Sequence, residues 1–135
     1  MTDIFQHNYA NVGDVRLHYV TSGDEGPVVV LLHGWPQTWY MWSEVIKGLV
    51  GSYRIIAPDL HGLGDSSRPV NGYDKKTIAE DVWQLVHGLV GEERIHVVGH
   101  DWGGATAFAL AAQHREAVTK MAIFDMLVPG DGTSL

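Results

Sequence analysis

One acidic residue among glycines is the feature of this sequence best suited to chemistry. Asp101 lies within Gly99-His100-Asp101-Trp102-Gly103-Gly104, after an apolar stretch and before an alanine-rich one. That order predicts a strand, a one-residue turn and a helix, and the small residues leave room for a crowded backbone. The pattern is typical of the sharp bend that presents a nucleophile at the end of a parallel strand, although the usual residue there is serine.

An aspartate at such a bend predicts that its carboxylate attacks a carbon atom of the substrate. A carboxylate with a pKa of about 4 is ionised at neutral pH. It therefore needs no base before it attacks an electrophilic carbon and forms an ester. Opening an epoxide and expelling a halide both suit this chemistry. The alternative is that the segment only begins a helix, with Asp101 near the positive end of the helix dipole.

Composition restricts the class of protein. The 135 residues suit one domain, and 45% hydrophobic with 19% charged residues is typical of a globular chain. A formal net charge of −7 argues against nucleic-acid and anionic-membrane partners. The absence of cysteine excludes disulfides and thiolate metal sites, and we expect no metal. Neither a signal peptide nor a membrane span is recognisable, so we expect a soluble, cytoplasmic protein.

Strand and helix patterns alternate along the chain, which predicts a largely parallel sheet with right-handed crossovers. Strands are predicted as two short segments within 8–22 and over 28–32, 53–57, 94–98 and 120–125. Helices are predicted from about residue 38, over 74–90, and from the Asp101 turn to about residue 116. Because 28–32 is continuously apolar, we expect it to be a central strand covered on both faces.

The loop His33-Gly34-Trp35-Pro36 follows this central strand, where open α/β sheets bind ligands. We expect His33 to hold the loop by hydrogen bonds and not to act as a base. Among the aromatic residues that follow, Trp42 is predicted to pack in the core, whereas Trp39 and Tyr40 remain open between packing and ligand contact.

Three other polar features have simpler explanations. The glycine-rich segment 59–69 is predicted to be a structural loop, because it lacks the lysine of a phosphate-binding loop. His114 is predicted to be a solvated residue at a helix end. Asp125 follows the last strand, and it either caps a loop or belongs to the site.

Three motifs together carry a family resemblance: His33-Gly34-Trp35-Pro36, the segment 59–66 and Gly99-His100-Asp101-Trp102-Gly103-Gly104. In this order and spacing, the chain resembles the N-terminal half of an α/β-hydrolase-fold epoxide hydrolase. The resemblance implies an α/β fold with a mostly parallel twisted sheet flanked by helices. It also implies that 1–126 is the N-terminal part of the core domain and that 127–135 begins a linker towards an absent cap domain.

The resemblance assigns roles to matching positions. Asp101 is implied to be the nucleophile, and the backbone N–H groups of Trp35 and Trp102 are implied to form the oxyanion hole. Two amides aimed at one point stabilise the oxyanion that forms when the ester is hydrolysed. Pro36 is implied to fix the loop, and we expect Pro36 and Trp39 to contact substrate. No cofactor is implied.

Relatives also have catalytic groups for which residues 1–135 contain no matching position. Relatives place the acid that orients the catalytic histidine after either of two strands, and Asp125 follows one of them. They take the histidine and the proton-donating tyrosines from later sequence and a cap domain. We therefore expect about half an enzyme, completed by a C-terminal chain or fragment that carries the cap, the last strands and the histidine.

The sequence thus predicts an epoxide hydrolase that acts on a small-molecule epoxide. Two related activities compete with it. Haloalkane dehalogenases commonly carry asparagine in place of Trp35, and haloacetate dehalogenases carry arginine in place of Trp102. A non-catalytic binding or interaction remnant of a hydrolase is the third alternative.

Overall fold

Six strands form one sheet in the computed structural model, which describes residues 4–125. In chain order they are β1 Gln6–Val12, β2 Val15–Ser22, β3 Val28–Leu32, β4 Arg54–Pro58, β5 Ile95–His100 and β6 Val118–Phe124. Their order in space is β1-β2-β4-β3-β5-β6. The four strands from β4 to β6 are parallel, which confirms the largely parallel sheet, while β1 and β2 join antiparallel at one edge.

The helices follow the predicted order with different bounds. They are a 3-10 helix over Trp39–Trp42, α1 Ser43–Leu49, α2 Lys75–Val90 and α3 Trp102–Gln113. Within residues 4–125, none of them is both long and apolar enough to cross a bilayer. The predicted linker over 127–135 lies outside the described residues.

The strand β3 confirms the prediction of a central strand, because all five of its residues are buried. Alternate side chains of a strand point to opposite faces. Val28, Val30 and Leu32 pack in the core cluster that contains residues of α2 and α3. Val29 and Leu31 pack in a second cluster with residues of the 3-10 helix and α1. The sheet is therefore covered on both sides at its centre.

Helix α2 begins and ends as its sequence predicts. The Asp74 side chain accepts a hydrogen bond from the Thr77 backbone N–H at 3.1 Å, and Gly91 ends the helix at a φ of 64°. Leu89 lies four residues after Leu85, at the spacing of an apolar helix face, but it is exposed. Val90, four residues after Val86, packs against the core in its place.

The segment after Thr38 begins as a 3-10 helix, which has three residues per turn instead of 3.6. This change of period shifts the phase of the α-helix that follows. Trp42 is buried as predicted and Ile46 is buried beside it, whereas Val45 is exposed.

The end of α3 corrects the interpretation of His114 as a solvated residue. The helix ends at Gln113, and the His114 ring stacks on Trp83 with ring centroids 4.2 Å apart. Its Nε2 atom lies 2.8 Å from Oε1 of Glu80 on α2. His114 is a helix-end residue as predicted, but it is half-buried and joins two helices.

Helix α3 approaches β3 through Gly103, a contact that no larger residue permits. A Cβ atom at Gly103 would collide with the carbonyl oxygens of Leu32 and His33. The backbone of the helix therefore touches the end of the central strand directly.

This contact predicts a large difference in the free energy of unfolding between two glycine-to-alanine variants. We expect Gly103→Ala to lower the free energy of unfolding by about 2 kcal/mol or more, because the collision involves backbone atoms that cannot move aside. Gly88 lies within α2 with no neighbour within 4 Å of an added Cβ. Gly88→Ala should raise the free energy of unfolding by about 0.5–1 kcal/mol through helix propensity. Urea denaturation followed by circular dichroism measures both, and equal effects would contradict the close approach.

Candidate active site

Asp101 occupies a strained turn between β5 and α3. Its φ is 57° and its ψ is −122°, in a region that residues with a Cβ rarely adopt. The Asp101 N–H donates to the carbonyl of Phe124 at 3.1 Å, and its own carbonyl accepts from the Gly104 N–H at 2.8 Å. The bend is therefore held between the edge strand and the first turn of the helix, as the glycine pattern predicts.

Small residues around the bend make it possible. A Cβ at Gly99 would collide with the carbonyl of Gly103. A Cβ at Gly34 would lie 2.5 Å from Cβ of Asp101 and 2.9 Å from its Oδ2. The requirement at Gly99 was predicted, whereas that at Gly34 was missed because it depends on a residue 67 positions later.

Of the two backbone amides predicted to form the oxyanion hole, one contacts the Asp101 carboxylate. The Trp35 N–H donates to Oδ2 of Asp101 at 3.3 Å. Trp102 is the first residue of α3, where a backbone N–H has no carbonyl partner within the helix. The rings of Trp35 and Trp102 lie 5.9 Å apart and are both exposed. Pro36 is also exposed and follows a cis peptide bond.

Trp39 is not brought together with these residues, which corrects its predicted contact with substrate. Its side chain is 8% exposed and packs in the second core cluster, because the 3-10 helix directs it onto the sheet. The Trp39 N–H donates to Oδ1 of the buried Asp59 at 2.8 Å. Trp39 lines neither of the two cavities that contain Trp102.

His33 has the positioning role that the sequence predicts. Its fully buried ring donates from Nδ1 to the Gly34 carbonyl at 2.9 Å, and Nε2 accepts from the Leu60 N–H at 2.8 Å. Since Nε2 accepts a hydrogen bond, the ring is neutral. Burial lowers the pKa of His33, against smaller opposing effects of the Gly34 carbonyl and the Asp59 charge. The ring therefore joins the loop after β3 to the loop after β4.

A buried pair anchors the second of these loops and was missed from the sequence. Nδ1 of His18 lies 2.7 Å from Oδ2 of Asp59, and both side chains are 1% exposed. Oδ2 of Asp59 also accepts from the Asp65 N–H at 3.0 Å. These contacts confirm that segment 59–69 is a structural loop. His18, Asp59 and Asp65 come within 4.8 Å of one another, but protein donors already occupy the Asp59 carboxylate, so the group does not suit a metal ion.

A cavity of about 620 Å³ opens beside Asp101 and is also lined by Trp102, Asp125 and Lys75. Asp125 thus reaches the same cavity as Asp101. Its Oδ2 atom lies 2.9 Å from Nε2 of His100, a pairing that the sequence did not predict. A second cavity of about 250 Å³ lies between Trp35 and Trp102.

The sheet and the bend at Asp101 agree with the family that the sequence matches. Residues 27–129 match the model of the alpha/beta hydrolase fold family, and the chain belongs to that family.

Among similar proteins, a soluble epoxide hydrolase from Corynebacterium sp. (strain C12) is 48% identical over 130 residues, covering 96% of this chain and 44% of that protein. A fluoroacetate dehalogenase from Burkholderia sp. is 38% identical over 94% of this chain and 43% of that protein. The structure of the epoxide hydrolase CorEH without ligand is 46% identical, with a TM-score of 0.87, over 97% of this chain and 46% of that one. The chain thus spans less than half the length of these relatives.

The neutral, buried His33 predicts a specific pH dependence of stability. Below a pH of about 6.5 the unfolded ring takes up a proton that the folded ring does not. The free energy of unfolding therefore falls with decreasing pH, by up to about 1.4 kcal/mol per pH unit from this group, until the pH passes its lowered folded pKa. Urea denaturation between pH 5 and pH 8, values chosen to bracket that titration, measures the dependence.

His33→Gln is the matched variant, because its side-chain oxygen can accept the Leu60 N–H and does not titrate. Its stability should depend less steeply on acid pH than that of the unaltered protein. Parallel curves for the two proteins would show that His33 is not held neutral.

Proposed function

We propose that the protein is an epoxide hydrolase in which Asp101 is the nucleophile. The observation that carries this proposal is the Asp101 carboxylate itself, which stands on a strained bend within hydrogen-bond distance of the Trp35 amide. The similarity to epoxide hydrolases over nearly the whole chain supports the same reaction.

In the first step, a carboxylate oxygen of Asp101 attacks one ring carbon of the epoxide. The C–O bond of the ring breaks, its electron pair stays on the ring oxygen, and that oxygen takes a proton from a donor. The product is an ester between Asp101 and the substrate. Because the carboxylate is ionised at neutral pH, this step needs no base.

In the second step, water activated by a base attacks the carbonyl carbon of the ester. The negative oxygen of the tetrahedral intermediate is stabilised by the backbone N–H groups of Trp35 and Trp102. One such donor is worth about 10²–10³ in rate in other enzymes. Collapse of the intermediate releases the diol and leaves the oxygen of water in Asp101.

The base, the proton donors and the cap are proposed to lie outside residues 1–135. A complementary chain or fragment could supply them, although the matched relatives, which are more than twice as long, are single chains. The edge strand β6 supports an added strand, because it pairs only with β5 among residues 4–125 and exposes Met121 and Phe124. The cytoplasmic location and a role in detoxification remain parts of this proposal.

Dehalogenation is the second candidate, supported by the similarity to a fluoroacetate dehalogenase. It would use the same Asp101 ester but expel a halide. Release of halide from haloacetates and haloalkanes, measured beside diol formation from epoxides, distinguishes the two activities.

Isotope labelling tests the role of Asp101. A single turnover of styrene oxide in ¹⁸O-water by the protein together with the part that carries the base and the cap should give a diol without label, while Asp101 gains the label. Asp101→Asn should lose at least about 10³-fold in the initial rate, because a neutral amide is a poor nucleophile. Mass spectrometry of the Asp101 peptide and of the diol measures both. Label that appears directly in the diol during the first turnover would contradict an ester intermediate.

The proposed orienting role of Asp125 gives a separate prediction. If Asp125 positions the base, Asp125→Asn should slow hydrolysis of the ester by about 10²-fold or more while the ester still forms. His100→Gln, which removes the other partner of the pair, should leave both steps nearly unchanged. Rapid-quench mass spectrometry of the ester distinguishes them, and equal effects of the two variants would indicate a purely structural pair.

A further inference from the structure

We propose that Asp59 is a positioning residue for hydrolysis of the Asp101 ester, because it holds one end of the loop that carries the Trp35 amide. This loop comprises residues 34–38, between β3 and the 3-10 helix. Asp59 acts through the backbone of the loop and not by touching the reacting atoms. The inference rests on the proposed function for the role of the Trp35 amide, and the attachment of the loop is tested separately below.

Both ends of the loop are attached to the same two consecutive residues. At its start, the His33 ring donates to the Gly34 carbonyl at 2.9 Å and accepts from the Leu60 N–H at 2.8 Å. At its end, the Trp39 N–H donates to Oδ1 of Asp59 at 2.8 Å. Asp59 and Leu60 therefore fix where the loop begins and where it ends.

The two attachments are made by buried atoms of the described residues. His33 and Asp59 are 0% and 1% exposed, and both hydrogen bonds lie in the interior. Trp35, by contrast, is exposed on the outer side of the loop. Further sequence that packs on this face would meet Trp35 but would not reach the two attachments. They therefore do not depend on what covers the outer side of the loop.

The Asp59 carboxylate is itself fixed by two further contacts. The Asp65 N–H donates to Oδ2 at 3.0 Å, and Nδ1 of His18 lies 2.7 Å from the same oxygen. With partners at both oxygens, the carboxylate cannot rotate without breaking a hydrogen bond. Hydrogen bonds to an ionised acceptor are also roughly twice as strong as those between neutral groups. Oδ1 is therefore held facing the Trp39 N–H.

A fixed loop matters most after the ester has formed. Under the proposed function, the carbonyl oxygen of the Asp101 ester becomes negative when water attacks, and the Trp35 N–H is one of its two donors. Formation of the ester instead removes negative charge from the carboxylate, so this donor does not favour that step. We therefore expect a loosened loop to slow ester hydrolysis and to leave ester formation nearly unchanged.

Asp59→Asn tests the attachment, because an amide has one acceptor oxygen where the carboxylate has two. That oxygen cannot serve both sides, and the two partners on the Oδ2 side compete for it against the Trp39 N–H. We expect ester hydrolysis to slow about 10–100-fold, as for a displaced donor, and ester formation to change less than about threefold. Rapid-quench mass spectrometry with styrene oxide measures both rates for the protein together with the part that carries the base and the cap.

A backbone variant removes the single hydrogen bond and keeps the Asp59 side chain. An ester linkage in place of the Trp39 amide has an oxygen where the N–H was. It deletes the donor to Oδ1 and leaves the contacts of Oδ2 in place. It should show the same selective slowing of ester hydrolysis, and it decides the question if Asp59→Asn does not fold.

Ser66→Ala is the matched control. The Ser66 hydroxyl donates to the Asp59 carbonyl at 2.6 Å and accepts from the His18 N–H at 2.9 Å, so it is buried in the same loop but makes no hydrogen bond to residues 34–38. Its loss should lower stability without slowing ester hydrolysis relative to ester formation. Equal selective slowing by Ser66→Ala and Asp59→Asn, or none in the Trp39 ester variant, would overturn the inference.

Hydrogen exchange separates this inference from the proposed function, because it needs no substrate. NMR should show the Trp35 and Gln37 N–H groups exchanging at least about tenfold faster in Asp59→Asn than in the unaltered protein or in Ser66→Ala. If these groups are released but the unaltered protein opens no epoxide, the proposed function fails and the positioning role stands. If the unaltered protein reacts through the Asp101 ester and Asp59→Asn changes neither exchange nor ester hydrolysis, the proposed function stands and the positioning role fails.

Discussion

The left-handed backbone at Asp101 is the constraint on which the rest of the structure depends. Holding a residue with a Cβ in such a conformation costs about 1–3 kcal/mol. Here the cost is offset by backbone hydrogen bonds to β6 and α3 and by close packing at Gly34, Gly99 and Gly103. Because the strand, the helix and the loop after β3 all meet at this bend, the direction of the Asp101 side chain is set by the fold and not by its rotamer alone.

Buried polar groups hold the surrounding loops in place beside that bend. The neutral His33 ring connects the loop after β3 to Leu60, and the pair of His18 with Asp59 fixes the loop after β4 to β2. Each of these groups is removed from water and satisfied by a partner, so displacing one would leave a costly unpaired group. Both loops therefore stay where the parallel strands end, and the Trp35 amide stays beside the carboxylate.

Local patterns were sufficient to predict the main elements and the bend. The apolar run of β3, the cap and stop of α2 and the glycines around Asp101 each specify a conformation within a few residues. Features that depend on distant residues were not predictable in this way. The pair of His100 with Asp125 and the closeness of Gly34 to Asp101 arise only when the sheet is assembled. The local sequence left Trp39 open between packing and ligand contact, and its burial is decided only by the assembled core.

The proposed reaction needs the bend to hold Asp101 where the Trp35 and Trp102 amides can receive the oxyanion. A crystal structure of the Asp101 ester, trapped by rapid freezing after an epoxide soak, tests it most directly. We expect the ester carbonyl oxygen to lie within about 3 Å of both the Trp35 and the Trp102 nitrogen atoms. An ester carbonyl that points away from these two amides, or an ester on another residue, would contradict it.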